Sequence, residues 1–199
     1  IGGTLGKTDL KFGAWLTAII GIKEVTEGLF EFYKKGVQVN IDTQTAQNGI
    51  AGLITSLTNI KEQGKQLTGM EAFTKATVIA EDQVKKLRLA AIQTGVSVKE
   101  VTEAFQSGIG AGLSKGFNVD QIREVSVLVA NTAKTMGMNK DQIGQELRAM
   151  LSGVVNADAQ LSVALGLGPN GALQKAYKQA LETGKGYDFL MKQLKDFGL

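Results

Sequence analysis

A single eight-residue pattern occurs three times, at equal spacing, and it restricts the chain to short helices that turn sharply. "TGVSVKEV" (94–101), "KGFNVDQI" (115–122) and "MGMNKDQI" (136–143) each read Gly, apolar, Ser/Asn, any residue, Lys/Asp, Glu/Gln, Val/Ile. Gly95, Gly116 and Gly137 are 21 residues apart. Glycine readily takes the left-handed conformation that ends a helix, and the apolar residue after it packs back onto the last turn. Ser97, Asn118 and Asn139 then stand as N-caps. Glu100, Gln121 and Gln142 follow three residues later, so each turn predicts a reciprocal capping box that satisfies free backbone amides.

Between the turns the apolar residues recur at helical period: Val98, Val101, Phe105 and Ile109; Ile122, Val125, Val129, Ala133 and Met136; Ile143, Leu147, Met150 and Val154. Helices of about 16 residues on connections this short fold back on their neighbours, stripe against stripe. Only one proline stands against 25 glycines. The expected class is all-α, a succession of antiparallel amphipathic helices with Gly-terminated turns at a 21-residue repeat. Gly108, Gly110 and Gly112 fall inside a predicted helix, where they weaken it or let another helix come close. They do not form a dinucleotide loop, since Leu113 or Lys115 occupies the third glycine position in either register and helix precedes them.

Upstream, Ala46, Ile50, Leu53, Leu57 and Ile60 alternate in steps of four and three, a coiled-coil-like seam introduced by Asp42. With no obvious partner in a short hairpin, that seam predicts self-association, a homo-oligomer. A further amphipathic helix is expected over 70–94, with Phe73, Ala76, Ala80, Val84, Leu87 and Ala91 on one face. "VQVNI" (37–41) alternates as a short extended link would. "LGLGPNGA" (165–172) holds the sole proline, and two short helices are expected beyond it, near 172–183 and 187–197. Three regions follow: 1–41, an N-terminal amphipathic helix and link; 42–168, the helical repeats; and 169–199, the short C-terminal helices. Because the chain opens on Ile1 without a signal segment, it is expected to be a piece of something longer.

The chain contains neither cysteine nor histidine, which removes thiol nucleophiles, imidazole bases, disulfides and the common zinc ligands together. "GGTLGKT" (2–8) ends like a phosphate loop but has the wrong glycine spacing. The acidic pairs Glu81–Asp82, Glu100–Glu103 and Asp120–Glu124 suit first-turn charges or solvated faces better than acid–base catalysis. No catalytic residue, metal ligand or cofactor is assigned, and the chain is expected not to be an enzyme. Its net charge is +3, with scattered basic residues whose densest group is Lys85, Lys86 and Arg88. The second helix of a potential helix-turn-helix carries Arg123 as its only early basic residue, so no specific nucleic-acid binding is expected. The longest apolar run, 12–22, is too short to span a bilayer. Extended to Tyr33 it is amphipathic, which leaves membrane contact through residues 12–33, or a helical protein-binding module, as alternative functions.

The tract from "GIAGLITSL" (49–57) through "KLRLAAIQTGVSVKEVTEAFQ" (86–106) and "KGFNVDQIREVSVLVANTAKTMGM" (115–138) to "QELRAMLSGVVNADAQLSVALGLG" (145–168) resembles tail tape-measure proteins of long-tailed phages and prophages. "TGKGYDFLMKQLKDF" (183–197) is also similar, and the "ELRAMLSG…LGLG" segment is the most specific part. The resemblance covers about 150 residues. It implies a structural role inside the tail tube, setting tail length and leaving ahead of the DNA. It further implies tail tube, tail tip and tail assembly chaperone proteins as partners, transient contact with the host membrane, and a location in the virion tail after synthesis in the host bacterial cytoplasm. Family members are much longer than 199 residues, so the chain would be an internal or truncated segment.

Overall fold

The computed structural model describes residues 43–197. The expectations for "GGTLGKT", for the amphipathic run 12–33, for "VQVNI" and for the 1–41 region lie outside the described residues. Those described are mostly helical, in eight helices: α1 (Thr43–Leu57), α2 (Gly69–Thr94), α3 (Val98–Ser114), α4 (Val119–Thr135), α5 (Lys140–Ser152), α6 (Gln160–Ala164), α7 (Gln174–Glu182) and α8 (Gly186–Asp196). The all-α class holds. A two-stranded hairpin, β1 (Lys61–Glu62) and β2 (Lys65–Gln66), joins α1 to α2, pairing Lys61 with Gln66 and Glu62 with Lys65. Its turn places Gln63 and Gly64 both at positive φ, 49° and 82°, the backbone of a type I′ turn. The hairpin carries no strong sequence signal, because Gln-Gly is a weaker turn signal than Asn-Gly.

The expected stripes are buried within the helices and fail at their ends. Val98, Val101, Phe105, Ile109, Ile122, Val125, Val129, Ala133, Ile143, Leu147 and Met150 all lie in the core. Met136 and Val154 are exposed: Met136 is the C-cap of α4, and Val154 lies beyond Gly153, which caps α5. The expected helix over 70–94 forms, burying Ala76, Ala80, Val84, Leu87 and Ala91, with Phe73 packed partly against them.

Consecutive helices turn back at the expected places, yet the most extensive packing of α3 is with α5 rather than with its chain neighbour α4. Side-chain contacts fix the direction. Glu103 lies 3.9 Å from Lys140, and the Ser107 hydroxyl donates to the Gly144 carbonyl at 3.3 Å across a separation of 37 residues. Both pairings advance together, so α3 and α5 run parallel. The same offset of 37 joins Gln83 of α2 to Asp120 at the start of α4, and Lys134 near the end of α4 donates to the Gly95 carbonyl at the end of α2. The hairpins α2–α3 and α4–α5 are therefore stacked in parallel, like helices side by side.

Glycine makes the α3–α5 approach close. A Cβ built on Gly108 would stand 2.7 Å from Leu147 and 2.9 Å from Leu151, and one on Gly112 would stand 2.5 Å from Ile122 of α4. Of the two roles open to these glycines, close approach is the one observed, and α3 runs unbroken through them. Gly110 differs, since its Cβ would meet nothing nearer than Leu57 at 3.7 Å.

The core does not stop at the proline turn. Leu165 and Leu167 are buried before it, and Tyr177, Leu181, Leu190, Met191 and Leu194 beyond it belong to the same hydrophobic cluster as Ile50 and Leu87. The 169–199 region, as far as it is described, packs as part of one body with 43–168.

Candidate functional site

Two of the three sequence-marked turns carry the full expected hydrogen-bond set. At Asn118 and Asn139 the side-chain carbonyl accepts from the backbone of Gln121 and Gln142, at 2.9 and 3.0 Å. Each Gln side chain accepts in return from the Asn backbone N–H at 2.9 Å. Upstream, Phe117 N–H donates to Gly112 C=O and Met138 N–H to Ala133 C=O, the six-to-one bond of a Schellman motif. Gly116 and Gly137 supply the left-handed residue, with φ 83° and 74°. Gly95 matches them at 67°.

At the first turn the box does not form. Ser97 sits at the N-cap with extended backbone but makes no side-chain cap bond, and Glu100 does not reach back. The same turn is tied across the stack at its other end, where the Gly95 carbonyl accepts from Lys134, a cation at a helix C-terminus where the dipole favours it. Asn118→Ala and Asn139→Ala should each cost about 1 kcal/mol, whereas Ser97→Ala should cost less than about 0.5 kcal/mol. Urea denaturation of the three variants checks this, and equal losses would refute the assignment.

The seam residues are divided between core and surface. Ala46 and Ile50 are buried, Leu53 and Ile60 are packed partly against the core, and Leu57 is 48% exposed. Within the chain, α2 and α3 cover the first half of this stripe, while Ala51 and Ile54 complete the buried face of α1. Leu57 lies in the last turn of the helix, where that cover runs out.

Two buried polar junctions organise the remaining contacts. Arg123, 2% exposed, donates to Gln83 Oε1 at 3.0 Å and to Asp120 Oδ1 at 2.5 Å, and lies 3.4 Å from Glu124. Tyr187 of α8 donates to the other Glu124 oxygen, and Lys86 reaches Asp120 at 3.5 Å. The cluster joins α2, α4 and α8. Arg123 is thus committed to the interior and cannot face a nucleic-acid groove, while Lys85 and Lys86 pair with Glu81 and Asp82 along α2. Burial raises the Asp120 carboxyl, but Arg123, Gln83 and Lys86 together outweigh it and hold the group below the usual aspartate value. Burial first, then the Glu124 bond, pushes the Tyr187 hydroxyl up, which keeps it a donor.

A folded pKa below the unfolded one contributes stability that is fully present above about pH 3.9, and that is lost as the pH falls from there through the folded value. Asp120→Asn should therefore flatten part of the acid limb of stability below about pH 4, and also leave Arg123 short of a counter-charge. Urea midpoints measured across that range should separate the two proteins, and identical acid slopes would contradict the assignment.

The second junction lies in the segment most specific to the resemblance. Glu146 of α5, 3% exposed, accepts from the backbone N–H of Leu161 and Ser162 at 3.0 and 3.1 Å and from the Ser162 hydroxyl at 2.7 Å. Its carboxylate caps the first turn of α6, whose own N-cap residue, Ala159, has no side chain able to do so. Nearby, the buried Tyr177 hydroxyl donates to the Met150 carbonyl at 2.6 Å, fixing α7 to α5. The sequence analysis assigns no role to Gln83, Glu146, Tyr177 or Tyr187. The available signal is a polar residue beside an apolar stripe, as Gln83 stands beside Ala80, Val84 and Leu87.

Among the described residues no group of three or more His, Cys, Asp or Glu could hold a metal ion, and no helix is long and apolar enough to cross a membrane. A shallow groove of about 660 Å³ runs beside α5, lined by Gln142, Gln145, Arg148 and Asp158 among others. The chain matches no family model, no curated protein and no solved structure.

Proposed function

We propose that this chain is a segment of a phage tail tape-measure protein, a structural component of the tail that sets tail length and assists DNA ejection from within the tube. The observation that carries the proposal is the long tract of resemblance, 49–168 with 183–197, whose most specific segment contains Glu146 and Ser162. A structural role agrees with how the buried charges are used: Arg123 and Glu146 both join helices to one another. Tail tube, tail tip and assembly chaperone proteins are the partners this role entails, and self-association would have to use surface other than Ala46 and Ile50.

Antiserum raised against residues 43–197 should detect the chain in immunoblots of denatured tails purified after induction of the strain that encodes it. Purified tails free of the antigen would overturn the proposal. Length-setting by this region has its own test. As one continuous helix the 21 residues 96–116 span about 32 Å, so their in-frame deletion should shorten tails by that amount if the region measures in extended form. Tails of unchanged length would show that it serves as a compact body instead.

A further inference from the structure

We draw no further inference here: the strongest candidate, the apolar margin that Leu53, Leu57 and Ile60 leave along the end of α1 and just beyond it, beside Gly110 of α3, is an unpartnered face, and nothing in the structure shows what covers it.

Discussion

The double substitution Gly108→Val with Gly112→Val is expected to remove about 4 kcal/mol or more of stability, since overpacking a filled core costs about 1–3 kcal/mol per site and occasionally more. The added Cβ atoms alone would lie 2.7 Å and 2.5 Å from Leu147 and Ile122, and valine places two further methyls into the same space. Ile122, Leu147 and Leu151 are themselves 0% exposed, so they can make room only by displacing other core side chains. Replacing glycine inside a helix normally gains a few tenths of a kcal/mol with valine and about 1 kcal/mol with alanine, so the predicted loss runs against local propensity. Gly110→Ala is the internal control. With its nearest neighbour at 3.7 Å, it should keep most of that gain and stabilise the fold by about 0.5–1 kcal/mol. Thermal and urea melts of the variants decide the matter; equal effects at all three glycines would show that α3 is not held against α4 and α5 by close approach.

This contrast marks where sequence patterning stops being informative. The stripes, the helix ends and the turn glycines are local, repeating features, and each was legible because it depends on residues at most five positions apart. Gly108, Gly110 and Gly112 look alike in the sequence, and only the side chains arriving from α4 and α5 tell them apart. The parallel stacking of the two hairpins was likewise not legible, since its offset of 37 residues is set by the whole body of a hairpin. Ser97 shows the converse. It matches the cap pattern and occupies the N-cap, yet the lysine that holds this turn comes from 37 residues further along, at Lys134. The seam at 46–60 is divided for the same reason, because Ala46 and Ile50 find their cover inside the chain, on α2 and α3. Neither candidate junction was legible as one: Lys86, Asp120, Arg123 and Glu124 stand out only as local charges, and a lone Gln or Glu beside an apolar stripe resembles an ordinary solvated flank until its distant partners are placed.

Glu146→Ala should destabilise the protein by about 3–5 kcal/mol, because three buried donors lose their common acceptor at about 1–3 kcal/mol each. The truncation leaves two backbone N–H groups and the Ser162 hydroxyl without their acceptor. Leu161 and Ser162 are both 0% exposed, so water cannot replace the carboxylate without opening the segment, and a buried donor left unpaired costs about 1–3 kcal/mol. Helix α6 has only five residues, too few to persist on its own propensity. The disruption should therefore extend from Ala159 to the 165–172 turn before it reaches α3 or α4. Glu146→Gln keeps one acceptor oxygen in nearly the same volume and should lose about half as much, while Ser162→Ala removes the hydroxyl together with its own need for a partner and should cost about 1 kcal/mol. Amide hydrogen exchange provides the spatial test. Protection should collapse at Leu161 and Ser162 in Glu146→Ala while the α3–α5 crossing retains its own; a uniform loss along the chain, or no loss at α6, would refute Glu146 as its cap.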